Sequence, residues 1–112
     1  MHEIKITPAA KRLRVTWKGK VIADTAAALD LAEASYPVVK YVPRADVDMS
    51  VFERTTHRTH CPYKGDASYY SLVSEGNEAK NAVWTYESPL AGVTAIKDHL
   101  AFYPNQVSFE EG

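Results

Sequence analysis

The sequence predicts an all-β domain with minor short helical turns. Three observations carry that reading. Short runs are rich in Val, Tyr, Trp and Thr, Pro and Gly recur between them, and two polar–apolar alternations double back across Gly-containing turns. The chain has 112 residues, 46% of them hydrophobic, which suits a single domain over residues 1–112. A chain of this size buries roughly two-thirds of its unfolded surface, so a core forms without staples. No internal repeat, low-complexity tract or linker divides it.

Each element follows from local chemistry. Arg12 to Trp17 alternates polar and apolar residues, Lys18-Gly19 turns the chain, and Lys20 to Asp24 resumes, which reads as a hairpin. Ala26 to Ala34 reads two ways. Its Ala, Leu and Glu content favours helix, whereas Leu29, Leu31 and Glu33 alternate with Asp30 and Ala32 as in a strand. The alternation tips the expectation to strand and leaves helix as the alternative. Val38 to Val42 is a short strand between Pro37 and Pro43, and Asp46 is placed to cap a helical turn after it. Ala67–Val73 and Ala79–Tyr86 flank Glu75-Gly76-Asn77 as a second hairpin. Pro89 to Asp98 fits a short helical turn, and Leu100–Tyr103 and Val107–Phe109 read as closing strands around Pro104-Asn105. Strands at this spacing suit a small barrel or two packed antiparallel sheets.

Composition excludes several function classes. Net charge is -1, from 13 basic and 14 acidic residues, so no nucleic-acid or polybasic membrane surface is expected. The single Cys cannot form an internal disulfide, which points to a reducing compartment. No apolar run approaches the roughly 18 residues of a membrane span. The start, Met1 to Lys5, does not read as a signal peptide, and the expected location is cytoplasmic.

Four ordered landmarks carry a family resemblance. They are Tyr41-x-Pro43-Arg44-x-Asp46-Val47, the run from Thr59 through His60-Cys61-Pro62-Tyr63-Lys64-Gly65-Asp66 to Tyr69, Trp84-x-Tyr86-Glu87-x-Pro89-Leu90, and His99-Leu100-Ala101-Phe102-Tyr103. Together they resemble the bacterial family called domain of unknown function 427, sometimes labelled nucleotidyltransferase-like. The resemblance implies a β-tent-like fold, two antiparallel sheets leaning together as an open pseudo-barrel. Other β-tent families hold a structural zinc through two Cys-x-x-Cys pairs, which a chain with one Cys cannot build. In some relatives the cleft between the sheets holds a small ligand or an oxidised side chain, and carrying that use here is analogy from fold.

The residues from Thr55 to Tyr70 gather much of the reactive chemistry: His57, His60, Cys61, Lys64 and three Tyr. Lys64-Gly65-Asp66 is the sharpest candidate. Gly65 permits a tight turn, Lys64 beside it suits a phosphate or carboxylate, and Asp66 could orient Lys64 or act as a base. A plain turn with a solvated Lys explains the same residues. The pattern required for a Walker A loop is absent. His60 and Cys61, with His57, offer metal-ligand chemistry or a reactive thiol, yet standard ligand spacing is missing, so neither metal nor cofactor is expected. A buried thiol is the plainer reading of Cys61. His99 is the better base for it in space, because His60, its neighbour along a strand, points to the opposite face.

Tyr69, Trp84 and Tyr86 could line an aromatic cleft. Of Tyr69 and Tyr70 only one can face it, and Tyr69 is the choice because it sits within the landmark. Ordinary core packing is the competing explanation for each ring. Arg44 and Asp46 could pair across a turn, and Glu87 is a lone carboxylate beside the cleft residues.

The favoured function is a module binding a small molecule between two sheets. Lys64 and Arg44 would supply charge to an anionic group on the ligand, and Glu87 or Asp66 would orient it. An enzyme acting on a phosphorylated or nucleotide-like substrate is the alternative. For it, Asp46-Val47-Asp48 has the carboxylate spacing but lacks the Gly-Ser loop before it. A third reading is a protein-interaction domain or homodimer using an open sheet edge.

Overall fold

In the computed structural model, which describes residues 2–112, the chain forms β1 (Ile4–Pro8), β2 (Leu13–Trp17), β3 (Lys20–Thr25), β4 (Leu29–Glu33), β5 (Val39–Pro43), β6 (Phe52–Cys61), β7 (Gly65–Ser74), β8 (Asn77–Thr85), β9 (His99–Phe102) and β10 (Ser108–Glu111). Short 3-10 turns occupy Arg44–Asp46, Met49–Val51 and Ala91–Ile96. The domain is thus all-β with minor helical turns. Ala26–Ala34 resolves to strand over Leu29–Glu33.

The strands make two antiparallel sheets. One has seven strands in the order β1-β4-β5-β9-β8-β7-β6, and the other has three in the order β10-β2-β3. They do not close into a barrel, since β1 and β6 remain the outer strands of the larger sheet and β10 and β3 those of the smaller. Both hairpins read from the sequence are present. Lys18 and Gly19 turn with φ of 50° and 78° between β2 and β3, and Glu75 and Gly76 with 49° and 81° between β7 and β8. β9 and β10 follow each other but do not pair. β9 lies between β5 and β8, whereas β10 crosses to β2.

Strand alternation then divides the apolar residues. Leu13, Val15 and Trp17 of β2 pack with Tyr70, Leu72, Val83, Leu100 and Phe102 of the larger sheet as the core between the sheets. The opposite face of the larger sheet carries a second cluster of Leu31, Tyr41, Tyr69, Tyr86 and Ala101, completed by Val93 and Ile96 from the Ala91–Ile96 turn. Tyr69 and Tyr70 therefore enter different clusters, as their adjacency on a strand requires.

The larger sheet forks. β5 and β9 share only the pairs Val42↔Leu100 and Pro43↔His99. From there Val39, Lys40 and Tyr41 pair with β4 alone, and Ala101 and Phe102 with β8 alone. The result is a tent-like opening between β5 and β9. On the inter-sheet side Lys40 ties the parts together, its ammonium 2.7 Å from Asp30 of β4 and 3.1 Å from Glu111 of β10. Among the described residues the buried Asp30 Oδ1 accepts no hydrogen bond of good angle, so charge rather than directionality holds that pair.

Two expectations need adjusting. Asp46 does not cap a turn. It accepts the Thr25 hydroxyl at 2.7 Å, and Asp48 does the capping by accepting Ser50 N–H at 3.1 Å. Arg44 and Asp46 do not pair, because the Arg44 guanidinium turns to Tyr70. Among the described residues no helix is long and apolar enough to cross a membrane.

Gly65 is the glycine whose conformation the fold requires most. Its φ is +111°, and an added Cβ would lie 3.4 Å from the Ser88 carbonyl oxygen. Gly65→Ala is expected to destabilise the domain by about 1–3 kcal/mol through left-handed strain, read as a lowered denaturant midpoint, whereas Gly76→Ala, with open space around it, meets only the backbone term.

Candidate functional site

The site grows from two strand ends that the sheet order brings together. Glu33 ends β4 on the same face as Leu29 and Leu31, which belong to the second cluster. Alternation thus turns a carboxylate toward an apolar surface, where it requires a cation. Lys64, in the turn between β6 and β7, supplies one. Only 8% of Lys64 is exposed, and its ammonium donates to Glu33 Oε1. The turn itself is fixed by backbone: Lys64 N–H donates to the Cys61 carbonyl at 3.2 Å and Leu90 N–H to the Lys64 carbonyl at 3.0 Å.

His2 completes the chain of contacts. It donates through Nε2 to Glu33 Oε2 at 2.6 Å, and its ring stacks on Tyr63 with centroids 3.7 Å apart and planes 8° from parallel. Burial pushes the Glu33 carboxyl up, but the hydrogen bonds from Lys64 and His2 outweigh it and leave the pKa below the ordinary value. Glu33 is therefore an ionised carboxylate with both oxygens engaged.

An aromatic layer lies beside this pair. Trp84 Nε1 donates to the Tyr41 hydroxyl at 3.2 Å, joining β8 to β5 across the fork. The Tyr69 hydroxyl shares a 2.9 Å hydrogen bond with Thr59, and its ring meets His57 edge-on at 4.5 Å. Tyr103 packs on Trp84 at 4.7 Å. Burial pushes the Tyr41 and Tyr86 phenols well above the ordinary range, with Cys61, Tyr69 and Glu33 near enough to add to the effect. Burial and a hydrogen bond to Tyr69 push Tyr103 up to about 12. At neutral pH these three phenols are protonated and can serve as hydrogen-bond donors, not bases.

The fork opens into a cavity of about 870 Å³. Its walls include Val39, Cys61, Tyr63, Trp84, Phe102 and Phe109, with His2, Glu33 and Lys40 as charged or polar members. That size and apolar character fall within the range of small-molecule pockets.

The expected site residues separate into four places. Trp84, Cys61 and His60 line the cavity in the fork, while Tyr69 and Tyr86 pack in the second cluster beside it and Lys64 holds Glu33. Arg44 and Glu87 lie together on the other face of β7, joined through Arg54: Glu87 accepts from Arg54 at 2.8 and 2.9 Å, and Arg44 donates to the Tyr70 hydroxyl at 3.1 Å. Asp66 turns outward and pairs with His60 at 2.7 Å, both side chains largely exposed. His99 donates from Nδ1 to the Lys97 carbonyl at 2.9 Å. Among the described residues no group of three or more His, Cys, Asp or Glu side chains could hold a metal ion.

Glu33, His2, Tyr41 and Arg54 are central here and were not among the site residues expected from the sequence, Tyr41 having stood only in a family landmark. The signal for Glu33 was present, since it continues the face of Leu29 and Leu31. Arg54, in a polar stretch, gave none.

The family model described as Domain of unknown function (DUF427) matches residues 5–111. No curated protein matches the chain.

Glu33 gives a pH prediction. Because its pKa is depressed on folding, its contribution to stability is complete above the ordinary value of 4.5 and is lost as the pH falls below it. Between about pH 5 and pH 3 the wild type is expected to lose stability more steeply than Glu33→Gln, measured as denaturant midpoints across the series. Parallel curves would contradict the assignment.

Proposed function

This chain is a member of the DUF427 family, and we propose that it is a small-ligand-binding module whose ligand enters the fork of the larger sheet. One observation carries the reading: a cavity of about 870 Å³ with aromatic and aliphatic walls ends on the hydrogen-bonded side chains of His2 and Glu33, with Lys64 behind them. A mostly apolar, planar molecule with one polar end suits it. The body would lie against Trp84, Tyr63 and Phe109 and the polar end would reach Glu33 and His2.

Charge refines the ligand class. Lys64 spends its charge on Glu33, and Lys40 spends its charge on Asp30 and Glu111. The cavity therefore favours a neutral ligand over an anionic one. Nucleotidyl transfer has less support, because Asp46 holds Thr25 and Asp48 holds Ser50 in local structure. Exposed apolar side chains at the cavity mouth, Tyr36 at 66% and Val38 at 52%, favour a second reading in which a protein partner covers the opening.

A thermal-shift screen of neutral aromatic compounds tests the first reading. A binder is expected to raise the melting temperature by mass action, and Phe109→Ser, which removes an exposed wall, to weaken it roughly tenfold. Compounds that bind equally well to Phe109→Ser, or no binder at all, would count against it.

A further inference from the structure

Five side chains form a separate constellation on the face of β7 opposite Tyr69: Arg44, Arg54, Ser68, Tyr70 and Glu87. None of them lines the cavity in the fork. Tyr70 is the fixed point. It is only 5% exposed, and its ring packs edge-on against Phe52 at 5.9 Å, so the position of its hydroxyl is set by the core. Two guanidinium groups converge on that oxygen, Arg44 Nη1 at 3.1 Å and Arg54 Nη1 at 3.4 Å. Both also sit near the Tyr70 ring, at 5.6 and 5.9 Å from its centroid.

Two cations on one neutral acceptor repel each other and call for negative charge. Glu87 pairs directly with Arg54, through a two-pronged contact at 2.8 and 2.9 Å, and acts on Arg44 only from a distance. Arg44 has no carboxylate within ion-pair distance among the described residues. The cluster thus carries two positive charges against one negative. The Tyr70 oxygen accepts from both arginines, while its own proton has no acceptor among the described residues. A buried phenol with an unspent donor therefore stands between two guanidinium forks.

We propose that this cluster is a binding site for a small oxyanion, a carboxylate or phosphate group, held by Arg44, Arg54 and the Tyr70 hydroxyl. Planar guanidinium forks match both groups, and Arg54 already holds a carboxylate in that manner within the chain. Ser68, 4% exposed, accepts from Arg54 at 3.2 Å and keeps that fork in place. Arg54 and Glu87 side chains are 42% and 41% exposed, so an anion can reach the site from solvent. The site is independent of the neutral ligand proposed for the fork.

Inorganic phosphate and acetate, titrated separately at low and constant ionic strength, test the proposal, with arginine side-chain N–H resonances as the readout. Saturable shifts at Arg44 and Arg54 are expected with at least one of the two anions. Saturation by phosphate alone assigns a phosphate group, and by acetate alone a carboxylate. Arg44→Gln, a surface change, is expected to weaken binding roughly tenfold, and Arg44→Lys to restore part of it. Glu87→Gln, which removes the competing carboxylate, is expected to tighten it. Linear shifts with both anions, no shift at Arg44 and Arg54, or equal binding to Arg44→Gln would overturn the proposal.

Discussion

Glu33 and Lys64 lie 31 positions apart, one at the end of β4 and the other in the β6–β7 turn, and their ion pair closes the far end of a forked sheet. Backbone pairing holds β5 and β9 together only at Val42 and Pro43. Below that point side chains must do what the ladder does elsewhere. The Trp84–Tyr41 hydrogen bond spans the fork near its apex, and the Glu33–Lys64 pair spans it at the open end. With side chains only 11% and 15% exposed, the pair is screened less than a surface ion pair. Loss of Glu33 would leave Lys64 poorly hydrated and unmatched, and loss of Lys64 would leave Glu33 with His2 alone.

That arrangement explains why the opening is lined as it is. The two wings must separate for a cavity to exist, yet each would then expose the apolar face of its strands. Tyr41, Tyr69, Trp84 and Tyr86 suit this position, because each has an apolar body to pack and a polar tip. Three of those tips are spent on Thr59 or on each other. The same logic places the spare charge elsewhere. Lys64 and Lys40 are consumed in holding the fold, whereas Arg44, on the other side of β7, has no carboxylate within ion-pair distance among the described residues and turns to the Tyr70 hydroxyl. The proposed apolar and anion sites thereby stand apart and share no lining residue.

Local chemistry made parts of this legible in the sequence. Lys18-Gly19 and Glu75-Gly76 announced both hairpins because left-handed turns restrict residue choice. Alternation decided Leu29–Glu33 against its helical composition, and it sent Tyr69 and Tyr70 to opposite faces. β6 reads as strand only at its His60–Cys61 end, because it is an outer strand, polar and exposed along most of its length, with an irregular register between Arg54 and Arg58. The partners of β9 and β10 are set by long-range pairing that a local pattern does not encode. Of the candidate residues, those at the fork share a face that alternation can indicate. Arg44 and Glu87 meet only through Arg54, and nothing in its sequence neighbourhood marks Arg54 as their link.

The most direct test of the central claim is a double-mutant cycle on the fork, with Glu33→Gln, Lys64→Met and the double variant compared by denaturant unfolding at neutral pH. If the pair holds the wings together, each single change is destabilising and the double variant recovers part of the loss, giving a coupling of about 1–3 kcal/mol. Additive effects, within about 0.5 kcal/mol, would mean that the two side chains are stabilised separately and that the fork is held by something else.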